Sequence, residues 1–155
     1  MINRRDFIYS AALGGLSLST PSMLACTSSR VMNRMGYKED VPLISLAQWS
    51  LNRAFFGGDL DPNKFPLIAK RDFDIKAVEY VNQFYKEQAL DNSFWINLNR
   101  LASDEGVKNL LIMVDDEGDL GNPNKSERLK AVENHTKWIN AAKLLGCHSI
   151  RVNAF

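Results

Sequence analysis

The stretch Asn109-Leu110-Leu111-Ile112-Met113-Val114 decides the fold class, because it is an unbroken apolar run. Such a run is typical of a strand that is covered on both faces, as the strands of parallel sheets are. Similar short runs occupy residues 43–49, 74–81 and 149–155, and amphipathic helical patterns lie between them. This alternation favours an α/β fold whose parallel strands are joined by right-handed crossovers.

Three helices are predicted between the strands. The first begins at Pro66, because a proline at the start of a helix lacks only an N–H that has no partner there. The second spans about 93–104, where apolar residues follow the three-and-four spacing of a helix. The third opens with a capping box of Asn124 and Glu127 and ends at Gly146.

The histidines and the second cysteine, which are residue types that can bind metals, lie in or just after the third helix. Its spacing puts His135 on the solvent side and predicts a buried stripe made of Leu129, Val132, Trp138, Ile139, Ala142 and Leu145. His148 precedes the last strand, and Cys147 follows a Gly in a position that favours packing. These residues show no spacing typical of a metal site, so no metal ligand is assigned.

The spacing of the strands separates two possible architectures. Strand starts lie roughly 32 to 39 residues apart, which is the length of one βα unit in either an open doubly wound sheet or a (βα)8 barrel. The turn after the first strand carries no glycine-rich phosphate-binding motif, and this favours the barrel. Four strands and three helices then correspond to the N-terminal half, about four βα units, of a (βα)8 TIM barrel.

Four segments carry a resemblance to a known family, the first of them ISLAQWSLN at 44–52, which resembles the family's first strand. DLDPNKFPLIA at 59–69, FDIKAVEYVNQF at 73–84 and LLGCHSIRV at 144–152 resemble the exported branch of the sugar phosphate isomerase/epimerase family, which has the xylose isomerase-like TIM barrel. The resemblance covers residues 42–155. It implies an isomerase or epimerase that acts on a small-molecule sugar or sugar derivative, by metal-assisted proton transfer between adjacent carbons.

The resemblance also implies a divalent metal, Mn, Mg, Co or Zn, held by Glu, Asp and His side chains of later strands. These strands would follow Phe155, so we expect this chain to match the first half of the barrel and to be inactive by itself. We also expect self-association through its open sheet edges. The alternative is a non-catalytic carbohydrate-binding lipoprotein that uses the mouth of a TIM barrel.

The candidate site residues stand near the carboxyl ends of the predicted strands, where barrel enzymes place their chemistry. Glu79 is the candidate catalytic residue, with a structural ion pair as the alternative. The candidate substrate-binding residues are Gln48, Trp49, Asn82, Asp115 and Asn153. For Trp49 the alternative is simple packing. The acidic run 115–119 is interpreted either as a cation site or as a solvated loop.

The N-terminus predicts export. Arg4 and Arg5 precede a moderately apolar stretch, which is typical of a twin-arginine signal. Met23-Leu24-Ala25-Cys26 resembles a lipobox, in which Cys26 becomes the lipidated first residue. The predicted organisation is a signal peptide at 1–25, the lipidated cysteine with a polar tether at 26–41, and the partial barrel at 42–155. Simple cleavage without lipidation is the alternative.

Charge and location limit the partners. Without residues 1–25 the basic and acidic side chains balance, and no basic patch with interleaved aromatic residues suggests nucleic acid as a partner. We therefore expect a sugar ligand and no nucleic acid. A lipid anchor would hold the exported protein on a membrane surface in the periplasm or cell envelope.

Overall fold

The computed structural model describes residues 43–154. The predicted signal peptide, Cys26, the tether and Phe155 lie outside the described residues. Within residues 43–154, no helix is long and apolar enough to cross a membrane.

The described chain alternates strands and helices, which confirms the α/β prediction. Its elements are β1 (Leu46–Ala47), α1 (Asn52–Gly57), α2 (Phe65–Phe73), β2 (Ala77–Val81), α3 (Asn92–Asp104), β3 (Lys108–Val114), α4 (Lys125–Leu145) and β4 (Ser149–Val152). Short 3₁₀ turns occupy Gln48–Leu51, Pro62–Lys64 and Asn82–Tyr85. The four strands form one sheet, every pairing is parallel, and their order in the sheet is their order in the chain.

Helices pack against one face of this sheet. Helix α2 contacts β2, α3 contacts β3, and α4 contacts both β3 and β4. Tyr80, Ile112 and Val114 are buried in the core that these helices form, whereas Leu111 and Met113, which alternate with them, are only half-buried. The prediction that β3 is covered on both faces is therefore wrong for the described chain, because its helices cover only one.

The first strand is much shorter than the predicted 43–49. It comprises Leu46 and Ala47, and the chain then enters a 3₁₀ turn at Gln48. The side-chain Oε1 of Gln48 accepts a hydrogen bond from the backbone N–H of Val81 at 3.0 Å. A side chain thus binds an amide that a longer β1 would bind through its backbone, and the strand ends early.

The helix boundaries follow the sequence signals closely. Asp91 caps α3 by accepting from the N–H of Phe94, and Asn124 caps α4 by accepting from the N–H of Ser126. In a capping box the side chain of Glu127 would accept from the backbone N–H of Asn124. Here that N–H donates to Asn122 Oδ1 instead, so only the Asn124 half of the predicted box is formed. Gly146 ends α4 with a φ of 78°, a left-handed conformation that glycine adopts without a steric penalty.

The predicted buried stripe of α4 is only partly right. Trp138, Ala142 and Leu145 are buried as expected, together with Ala131 and Ala141. Three predicted members lie exposed instead, namely Leu129, Val132 and Ile139. The helix packs through its alanines, because small side chains let it approach the sheet closely while Trp138 fills the space between them. His135 lies on this same alanine-containing face of α4 and is buried with it, so its predicted solvent position is wrong.

Candidate functional site

Four candidate residues occupy the same place on successive strands. Gln48, Asn82, Asp115 and Asn153 are the first residues after β1, β2, β3 and β4. Because the strands are parallel, these positions share one edge of the sheet. The structure therefore places these strand-end residues along one edge, where Asn82, Asp115 and Asn153 are hydrogen-bonded to one another and Gln48 follows the strand at the far side of β2.

Gln48 is fully buried and serves the sheet. Besides accepting from Val81, its Nε2 donates to the hydroxyl of Tyr85 at 2.8 Å, and that hydroxyl donates to the carbonyl of Pro62 at 2.7 Å. Burial raises the pKa of Tyr85 far above its ordinary value, so the hydroxyl stays protonated and can donate. Substrate contact by Gln48 stays a prediction, and the structure gives it a positioning role.

Asn82 extends the pairing of β2 with β3. Its Oδ1 accepts from the backbone N–H of Asp115 at 3.0 Å, and its Nδ2 donates to the Asp115 carbonyl at 2.8 Å. The amide thus imitates one more residue of a strand. Asn153 continues the series by donating from Nδ2 to Asp115 Oδ1 at 2.9 Å. Asn82 and Asn153 together fix the position of Asp115 and its carboxylate, whereas contact of any of the three with substrate stays a prediction.

Glu79 lies in β2 and belongs to the uncovered face. It contributes to a cavity of about 250 Å³ whose wall also includes Trp49, Met113 and Arg151. Ser45 Oγ donates to Glu79 Oε1 at 2.5 Å. Among the described residues Glu79 forms no ion pair, so the structural alternative considered for it finds no support there.

Trp49 stands at the rim of the same cavity. It is 42% exposed, and its ring lies 6.1 Å from that of Phe56 and 6.5 Å from that of Phe84, centroid to centroid. Phe56 is itself 61% exposed. An exposed aromatic surface beside a carboxylate is suited to a ligand that presents both a C–H face and hydroxyl groups.

Acidic side chains of the run 115–119 bind different side chains elsewhere in the described chain. Glu117 accepts from Trp138 Nε1 at 2.7 Å and from Lys137 Nζ at 2.9 Å, so it fastens the loop to α4. Asp116 forms an exposed ion pair with Lys86. Within residues 43–154, no group of three or more His, Cys, Asp or Glu side chains is arranged to hold a metal ion. The described residues therefore offer no ligand group for a metal, and the resemblance assigns those ligands to later strands.

Two residues at the site have positions that the sequence did not reveal, and a third, Cys147, has the packing role that the sequence favoured. Arg151 lines the Glu79 cavity, because it alternates with the helix-facing residues of β4. His135 lines a second cavity, beside Asp115 and Asn153. Cys147 is half-buried against the core, and burial raises the pKa of its thiol to about 12, which agrees with a packing role. The strand alternation would have identified Arg151, but nothing in the pattern identified the buried face of α4.

Comparison with models of known protein families finds no match for the chain, and comparison with curated proteins finds none either.

Glu117→Ala should lower the free energy of unfolding by about 1–3 kcal/mol, because the buried indole N–H of Trp138 loses its acceptor. Asp119→Ala is the matched control, since it removes an exposed carboxylate from the same loop and should change stability by less than about 0.5 kcal/mol. Urea unfolding followed by tryptophan emission measures both. Equal losses in the two variants would contradict the anchoring role of Glu117.

Proposed function

We propose that residues 43–154 form four consecutive βα units of a (βα)8 barrel of the sugar phosphate isomerase/epimerase type. Two features of the sheet support this. The strands lie in sequential order, and the helices pack against one face. Doubly wound sheets reverse their strand order and carry helices on both faces, whereas a barrel does neither.

In this arrangement the uncovered face of the sheet lines the barrel interior, and the strand-end residues line its mouth. Leu111, Met113 and Arg151 would then point inward, where side chains from the other strands cover them. The open edges at β1 and β4 would pair with further strands. Four strands cannot close a barrel, so we expect residues 43–154 by themselves to self-associate at those edges and to show no turnover.

The observation that carries the functional proposal is the Glu79 carboxylate, which forms no ion pair with any residue in 43–154 and lines the same cavity as the exposed ring of Trp49. We assign Glu79 the role of the general base or acid that moves a proton between adjacent carbons of a sugar. Ser45 orients the carboxylate through its hydroxyl. Trp49 offers its ring to the sugar face, and Asn82, Asp115 and Asn153 hold the mouth in shape. No step is assigned to a metal.

One observation also favours a second function. The exposed rings of Trp49 and Phe56, with Phe84 beneath them, form a surface of the kind that binds carbohydrate without any chemistry. A non-catalytic carbohydrate-binding protein would use this surface and would not need Glu79.

Titration of the protein with D-glucose, D-fructose and D-xylose tests the site, with the emission of Trp49 as the signal. Trp95 and Trp138 are fully buried, so a change caused by sugar contact reports on Trp49. Glu79→Gln should weaken binding by about 1.5–3 kcal/mol, the usual value of a hydrogen bond to a charged group. The control Glu87→Gln removes an exposed carboxylate and should leave affinity unchanged.

Sugar binding that is insensitive to Glu79→Gln would instead support the binding protein, and no binding of any sugar would contradict both functions. Turnover assays with Mn²⁺, Mg²⁺ and Co²⁺ complete the test. Metal-dependent isomerisation by this chain alone would contradict the assignment of half a barrel.

We further propose export by the twin-arginine route and anchoring through lipidated Cys26. Replacing Arg4 and Arg5 by Lys should block export, because that route reads the arginine pair whereas a general secretory signal accepts lysine. Cys26→Ala should move the protein from the membrane fraction to the soluble fraction. Cell fractionation measures both. Continued export of the double Lys variant would exclude the twin-arginine route.

A further inference from the structure

A second cavity of about 110 Å³ lies at the carboxyl ends of β3 and β4. Its wall is made by the loop 115–119, by Asn153 and by His135 of α4. It shares no lining residue with the Glu79 cavity. The cavity is therefore a separate space on the same edge of the sheet.

His135 gives this cavity its chemistry. The side chain is only 5% exposed, and its Nδ1 lies 2.6 Å from the backbone carbonyl of Ala131. A carbonyl only accepts hydrogen bonds, so Nδ1 must donate, and Nε2 of the neutral ring is then an acceptor. No residue in the described part of the chain hydrogen-bonds to Nε2. Unlike Trp95 Nε1, this atom is not sealed from solvent, so it can accept a hydrogen bond from whatever fills the cavity, water or a ligand.

The carboxylates in the wall are also acceptors, and the side-chain amide donor there, Asn153 Nδ2, is already bonded to Asp115. Lys86 and Lys137 pair with Asp116 and Glu117, and this leaves the carboxylates of Asp115 and Asp119. Asp115 uses one oxygen to accept from Asn153, and its second oxygen has no partner among the described residues. The occupant must therefore donate hydrogen bonds.

The size of the cavity narrows the choice of donor. Since one water takes about 30 Å³ of liquid, the space holds about three or four waters, or a hydroxymethyl group or a vicinal diol. It is too small for a whole sugar ring. A metal ion fits poorly, because the described side chains form no three-ligand group.

We propose that this cavity is a hydroxyl-binding subsite in which His135 Nε2 accepts a hydrogen bond from a sugar hydroxyl. The proposal rests on the sugar ligand proposed above and extends it to a second set of residues. His135 acts here as a substrate-positioning residue. The Nδ1 contact fixes the ring, and the loop carboxylates take the neighbouring hydroxyl hydrogens.

Nitrogen NMR of the full chain, labelled with ¹⁵N in its histidine rings, tests the subsite. The chain has two histidines, and His148 is exposed and bonded to Ser149, so it serves as an internal control. Addition of D-fructose, D-xylose or myo-inositol should shift the Nε2 resonance of His135 to saturation and leave His148 unchanged. The indole N–H resonance of Trp49, recorded on the same samples labelled also in tryptophan, reports on the Glu79 cavity separately from Trp138, whose indole binds Glu117 in the wall of the second cavity.

Two substitutions separate positioning from folding. His135→Asn keeps an amide N–H near the Ala131 carbonyl and removes the Nε2 acceptor, so it should melt close to the wild type yet bind sugar about tenfold more weakly. His135→Gln can return an acceptor to the cavity and should recover part of the affinity. Equal affinity of His135→Asn and wild type would overturn the subsite.

The two proposals fail in distinguishable ways. A response of Trp49 with an unmoved His135 resonance would overturn the subsite and leave the Glu79 site standing. A response of His135 alone would support the subsite and overturn the role of the Glu79 cavity. If neither responds, water alone fills the His135 cavity and both proposals are overturned.

Discussion

Burial of Tyr80, Ile112 and Val114 against the helices fixes the direction of every other side chain in the central strands. Because side chains alternate along a strand, these three residues force Glu79, Leu111 and Met113 to the opposite face. Full burial of one large apolar side chain stabilises the fold by about 1.5–3 kcal/mol. A one-residue slip of register would turn all three side chains to the other face and lose their burial energy together. The position of the candidate carboxylate is thus a consequence of core packing.

The strand ends depend on side-chain amides as well as on backbone pairing. Gln48 binds the Val81 N–H, and Asn82 binds both backbone groups of Asp115, so two amides continue the sheet by one residue beyond its strands. Buried amides of this kind are costly to leave unpaired, and each holds its neighbour in one geometry. The result is a rigid edge from which Asp115 and the adjoining loop project into the second cavity.

The sequence predicted the parts of the fold that depend on local signals. The run 109–114, the cap at Asn124 and the glycine at 146 each determine structure within a few residues, and the strand, the helix start and the helix end that they predict agree with the structure, although the coverage of β3 and the Glu127 half of the capping box do not. The length of β1 was not predictable, because the side chain of Gln48 replaces a backbone partner that is distant in the chain. The buried face of α4 was also missed, since its alanines carry little hydrophobic signal beside Leu129 and Ile139. His135 was placed on the solvent side for the same reason, whereas the strand-end residues could be located from the strands alone.

Cysteine accessibility at two neighbouring positions of β3 tests the central claim that helices cover only one face of the sheet. In dilute protein that also carries Cys26→Ser and Cys147→Ala, a cysteine at Met113→Cys should react readily with a maleimide. One at Ile112→Cys should be protected until the protein unfolds, because Ile112 is fully buried and Met113 is not. Equal protection at both positions would show that the second face is covered too, and would contradict the one-sided sheet on which the account of Glu79 depends.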